Sequence, residues 1–362
     1  MLFTAIRVHP ARDLFTPRGH KALRWLIPLA VMAGLVTSAH AQILEIKMGT
    51  LAPAGSPWHK VLERMGERWR EISGGKVKLK IFPGTLGDEP DLVNKMLINQ
   101  IQAVALSGAG MSEIERGVGC LQIPMMIQSY EELDCVRDRM APTLEKMIES
   151  KGFVVLNWGD AGWVHFFSTR QLSTVSDLRK SKLFTWAGDA DELELWKTTG
   201  FRPVPLAATD ILPSLQTGLI DVIPTVPLMA LWNQYFGIAR YMTDIKWAPL
   251  IGGTLISRST WERIPREFRA PMLKAARDSG AEMRNSIRSM GDEAIQVMIK
   301  GRPGSSVKLT LFHADPAALA DWRKQTEAVY PKMRGKFIPA DLFDEARRQC
   351  DRCRASLNGN PK

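Results

Sequence analysis

The residues best suited to chemistry are few and scattered. Of six histidines, His9, His20 and His40 precede residue 42. His59, His165 and His313 lie far apart, without the short spacing that metal ligands need. Surface or packed positions suit them better than ligation. No G-x-S-x-G, H-E-x-x-H or Walker loop occurs, nor a G-x-G-x-x-G after a strand. Nothing assembles a nucleophile, a base and oxyanion donors. The pattern is that of a binder rather than an enzyme, and no cofactor is implied.

Four cysteines remain: Cys120, Cys135, Cys350 and Cys353. The separation suits a Cys120–Cys135 disulfide in an oxidising compartment. Cys350-x-x-Cys353 falls in an expected helix over 341–355, where residues three apart are neighbours. A redox pair needs that motif after a strand, and a zinc site needs a second ligand pair; neither is visible.

Residues 1–24 hold Arg7, Arg12, Arg18, Lys21 and Arg24 against Asp13 alone. An apolar run over 25–36 and Ala39-His40-Ala41 follow. This order reads as a secretory signal over 1–41, cleaved before Gln42. Its apolar run is shorter than the roughly 20 residues that span a bilayer. Five basic residues and one acid give this leader +4 of the net +10, leaving +6. That surplus lies among acids on expected helices such as 64–70 and 263–277. No basic run is interleaved with aromatics, so nucleic acid is not an expected partner.

The elements that must position a site alternate. Strands are expected at 46–50, 77–82 and 103–106, with helices at 58–73 and 91–99 between them. A helix at 131–150 follows, then strands at 153–158, 164–168, 182–186, 204–206 and 220–224. Helices are expected at 191–199 and 210–217. A long helical stretch runs from about 265 to 300, with Gly280 and Gly291 as candidate kinks. A strand at 306–312 and helices near 317–332 and 341–355 end the chain. The fold class is α/β, with two lobes and a ligand crevice at the strand ends. The expected division is 42–166 plus about 250–300 for the first lobe, and 167–249 plus about 301–362 for the second.

Several runs resemble a known family. They are Ile46-Lys47-Met48-Gly49-Thr50 with Gly55-Ser56-Pro57-Trp58, and Phe82-Pro83-Gly84 with Leu86-Gly87-Asp88. Pro203-Val204-Pro205-Leu206, Asp210 and Leu215-Gln216-Thr217-Gly218-Leu219-Ile220-Asp221 are the strongest, and Trp261-Glu262-Arg263-Ile264-Pro265 is another. In this order the chain, over about 43–350, resembles the DctP family, the solute receptors of TRAP transporters. The resemblance implies a periplasmic two-lobed receptor that closes on a small molecule, with a long hinge-side helix. It also implies delivery to the membrane subunits of a TRAP permease. Most members of the family bind organic acids.

The sequence departs from the family where ligands are held. The family's carboxylate-clamping arginine is expected at Phe184, and a second falls near Trp163 or Val164. The positions near Val226 and Ala208 are small or apolar where polar or aromatic groups are usual. Trp163, Phe184, Trp186 and also Trp158 are therefore expected to line an aromatic pocket. Asp160, in an expected strand-exit loop, and Asp189 are candidate acceptors. They are also the one acid/base pair an enzyme on this scaffold could use. Ser107 belongs to a loop whose small residues admit a ligand to the backbone. The expected ligand is more apolar than a C4-dicarboxylate. The alternative reading is a periplasmic carrier or sensor that takes no part in transport.

Overall fold

The computed structural model describes residues 43–301 and 307–359. The signal expected over 1–41 lies outside the described residues.

The chain builds a first sheet from β1 (Leu44–Thr50), β2 (Val77–Pro83), β3 (Ala103–Ser107) and β4 (Phe153–Trp163). It crosses to a second sheet through β5 (His165–Ser168), β6 (Lys182–Trp186), β7 (Arg202–Leu206), β8 (Val222–Thr225) and β9 (Tyr241–Thr243). Strand β10 (Pro249–Ser257) returns to the first sheet, and β11 (Thr310–Phe312) ends the second. The sheet orders are β2-β1-β3-β10-β4 and β11-β9-β5-β8-β6-β7. Strands β1, β2 and β3 are parallel, as their crossover helices require. The return strand β10 is antiparallel to both neighbours.

The first helix, Pro57–Ile72, shows how sequence becomes structure. Ser56 accepts from the His59 backbone N–H, and Pro57 occupies the first turn, where no donor is lost. The helix buries Trp58, Leu62, Met65 and Trp69 along one stripe.

The helix Arg266–Lys300 runs unbroken for 35 residues. Met272 and Ala276 join the core beneath the first sheet, and Met298 joins that of the second. Gly280, expected as a kink, serves close packing instead. A Cβ there would lie 2.8 Å from the Trp158 carbonyl oxygen on β4.

The terminal region differs from the expected division. Trp322, on the helix Pro316–Glu327, packs with the second sheet's Phe166 and Leu183. The last helix, Ala340–Asn358, packs instead in the first lobe's core. Its stripe Leu342, Ala346, Cys350 and Cys353 meets Val136 and Met140 of the helix Tyr130–Ser150. A disulfide joins these helices, Cys135 to Cys353. Cys120 and Cys350 are free and buried, so neither sequence-adjacent pairing forms. Residues three apart on a helix differ in heading by about 60°, so Cys350 and Cys353 do not aim at each other. Burial pushes both free thiols up to about 12, which leaves them inert at neutral pH.

Candidate functional site

A cavity of about 770 Å³ opens between the two sheets. This volume suits a small organic molecule. On the first-lobe side its wall includes Ser107, at the end of β3, and Glu113, on the helix Gly108–Ile114. On the second-lobe side stand Phe184 and Trp186 from β6, then Asp189, Glu192 and Trp196 around the helix Ala190–Thr198. Trp247 closes part of the remaining wall.

Alternation along β6 places Phe184 and Trp186 on one face of the strand. Their rings meet edge to face at 5.1 Å between centroids. Trp247 stacks on Trp196 at 5.7 Å, and Phe201 meets Trp196 edge-on at 4.8 Å. The wall thus carries two aromatic groups, one on β6 and one around Trp196.

The charged groups on the wall are mostly acids. Thr185 donates to Glu192 Oε2 at 2.6 Å, and the Glu192 backbone N–H donates to Asp189 Oδ1 at 2.7 Å. Burial, then the Asp189 charge, raises the Glu192 carboxyl to about 7. Burial also raises Asp189. Glu113 is raised by burial and by the charges of Asp189 and Asp191. The basic residues are Arg116, Arg179 and Lys151. Arg116 is paired with Asp191. Arg179 donates to Gln325 and lies 5.3 Å over the Phe201 ring. Lys151 is exposed.

Four of the expected site residues line this cavity: Ser107, Phe184, Trp186 and Asp189. The Ser107 hydroxyl is already committed, donating to Glu89 Oε2 at 2.6 Å. The other four lie elsewhere. Trp163 is buried against Tyr130 at 5.6 Å, and Val226 is fully buried at the start of the helix Pro227–Trp232. Ala208 sits in a short 3-10 turn away from the cavity wall. Asp160 is not in a loop, because β4 continues to Trp163. Its carboxylate is held by Arg288 at 2.7 and 3.1 Å, and Arg288 also grips Asp134 with two bonds of 2.8 Å. Asp160 and Asp189 therefore do not form a pair. Trp158 is likewise buried, donating to Glu145 at 2.8 Å.

Residues not singled out from sequence complete the cavity. Glu113, Glu192, Trp196 and Trp247 were each readable as ordinary helix or loop residues. Their one shared signal is position after a strand end that points into the crevice.

The two lobes touch around this cavity. Arg116 pairs with Asp191, Lys336 with Glu194 at 2.6 Å, and Lys332 donates to the Thr198 carbonyl at 2.8 Å. Gly188, after β6, abuts Pro90 so closely that a Cβ would lie 2.3 Å from Pro90 Cγ. Only glycine fits that approach.

Comparison with known proteins places this architecture. The model of the DctP family, bacterial extracellular solute-binding protein family 7, matches residues 48–336. The chain belongs to this family. It is 22% identical over 311 residues to the 2,3-diketo-L-gulonate-binding periplasmic protein YiaO of Escherichia coli, covering 83% of this chain and 90% of that protein. It is 20% identical over 274 residues to the sialic acid-binding periplasmic protein SiaP of Vibrio cholerae, covering 73% and 84%. A TRAP periplasmic solute binding protein from Ralstonia eutropha, solved with bound (S)-2-acetolactate, superposes with TM-score 0.77 at 21% identity. That match covers 85% of this chain and 99% of the other. The sugar acid binding protein of Advenella mimigardefordensis, in complex with galactonate, gives TM-score 0.77 at 19% identity, covering 86% and 99%. These likenesses establish the two-lobed fold. Among the described residues, no helix is long and apolar enough to cross a membrane.

Proposed function

We propose that this chain is a periplasmic receptor that captures a small organic ligand between its lobes. It then delivers that ligand to a TRAP-type permease. Family membership and the periplasmic names of its relatives support the role. The ligand is more apolar than a C4-dicarboxylate. Phe184 carries this part of the reading: it stands buried in the cleft where the family resemblance implies an arginine clamp. A buried carboxylate needs a cationic partner, because desolvating it alone costs several kcal/mol or more. Arg116 and Arg179 are both engaged with other groups. The ligand-binding set is proposed as Phe184, Trp186, Trp196, Trp247, Glu113, Asp189 and Glu192.

Titration calorimetry with succinate tests the reading. The unmodified protein should give no binding heat, and Phe184→Arg, which adds the missing cation, should bind succinate at least as well as the parent. Tight succinate binding that Phe184→Arg weakens would sink the proposal.

A further inference from the structure

A smaller recess of about 20 Å³ adjoins the main cavity and shares Glu113, Trp186, Gly188 and Asp189 with it. That space holds one water-sized group. Its other charged residues are Asp88 and Glu89. No lysine or arginine lines it. The main cavity continues the acidic surface through Glu192, while its arginines are engaged, Arg116 with Asp191 and Arg179 with Gln325. Asp88 and Glu89 are already occupied by structure. Asp88 accepts from the Glu89 backbone N–H, and Glu89 accepts from Ser107 and from the Gly110 backbone N–H. Glu113 faces the space from one lobe and Asp189 from the other, where one Asp189 oxygen caps its helix by accepting from the Glu192 backbone N–H, with the Trp186 ring beside them. An aromatic face with flanking carboxylates is the arrangement that holds a cation. On the wall beyond, Trp196 is buried, and its indole N–H lies beside the Glu192 carboxylate.

We infer that the cleft takes a ligand with a protonated nitrogen, seated in the recess between Glu113, Asp189 and the Trp186 ring, and an apolar or aromatic body lying against Phe184, Trp196 and Trp247. This deepens the receptor reading above and rests on it. Closure would bring the two carboxylates onto the nitrogen from both lobes, so the cation itself would favour the closed form.

Three probes of matched shape test it: phenethylamine, 2-phenylethanol and 3-phenylpropionate, each titrated by calorimetry. Losing a hydrogen bond to a charged group costs about tenfold or more in affinity. The amine should therefore bind at least about tenfold tighter than the alcohol, and the carboxylate weakest. Glu113→Gln and Asp189→Asn should each remove most of the amine's advantage over the alcohol. Asn keeps the helix-capping oxygen of Asp189, so the fold is preserved. Circular dichroism checks this. Preference for the carboxylate or the alcohol, or variants that leave the ranking intact, overturns the inference while the receptor reading stands. If none of the three binds, the molecule released on denaturing the exported protein decides. An amine supports the inference and a ligand without basic nitrogen overturns it. Release of nothing removes both readings.

Discussion

Phe184 and Glu192 show how much a single side chain settles. Phe184 follows the strand's alternation into the cleft, so its identity bears on ligand class before any contact is measured. Glu192 is settled by its surroundings. Its folded-state carboxyl is raised to about 7, above the ordinary carboxylate range of the unfolded chain. The folded protein then binds more protons than the unfolded one between roughly pH 4.5 and 7. This site therefore loses stability as pH rises through that window. Burial and the Asp189 charge oppose its ionisation, and the Thr185 hydroxyl, the Trp196 indole and the Trp186 backbone favour it. His165 acts oppositely. Burial, with the Lys246 charge, lowers it to about 4 against the opposing pull of Asp244 and the Thr243 backbone, so its contribution is lost as pH falls from about 6.5. The expected outcome is a difference between proteins. Without ligand, Glu192→Gln should gain melting temperature over the parent at pH 7.5, and the gain should shrink at pH 5. A constant difference across that range would refute the assignment.

At the level of elements, two ties decide where helices sit. Arg288 carries the long helix onto β4 through Asp160 and onto the helix Tyr130–Ser150 through Asp134, and its guanidinium lies 4.2 Å over the Tyr130 ring. Removing it strands Asp160, whose side chain is 1% exposed. Arg288→Met should cost about 3–5 kcal/mol in urea unfolding, and Asp160→Asn in the same chain should recover much of that. If the double variant were no better than the single, the stranded charge would not be the cause. The disulfide is the second tie. Cys135 and Cys353 are 218 residues apart, so their link restricts the unfolded chain over a long loop. Cys135→Ser should lower stability by about 2–4 kcal/mol and be insensitive to reductant. The unmodified protein should fall to the same value under reduction. The element pattern was largely legible, since β-α-β-α-β over 44–107 follows from apolar periodicity and turn residues. Strand β10 escaped because Gly252-Gly253 dilutes its apolar signal. The extension of β4 escaped because Gly159 and Gly162 imitate a loop.

Across the whole molecule, exposed pairs bridge the lobes beside the cavity, while buried apolar contact such as Trp58 with Leu228 joins them along the long helix. Arg116–Asp191 and Lys336–Glu194 are solvent-facing, and each is worth about 0.2–1 kcal/mol. Such pairs hold closure weakly enough for a ligand to tip it. Arg116→Ala with Lys336→Ala should shift the unliganded protein toward an open form. Small-angle scattering would show this as a larger radius of gyration, reversed by a bound ligand. An unchanged radius would place the hold elsewhere, such as the Gly188–Pro90 contact.

The sequence by itself determined the α/β class and the two-lobed family fold, and it put an aromatic residue, Phe184, where the resemblance implies an arginine. These rest on local periodicity, turn chemistry and motif order, all of which act over short stretches of chain. Only the tertiary structure decided which polar groups face the cleft. Asp160 and Asp189 read alike in sequence, as acids beside glycine and tryptophan. One is neutralised by Arg288, 128 residues away, while the other meets Glu113 across the lobes. The cysteines obey the same logic, with the near pairings passed over for Cys135–Cys353. Charge pairing and disulfide geometry depend on distance in space, and spacing along the chain does not report it.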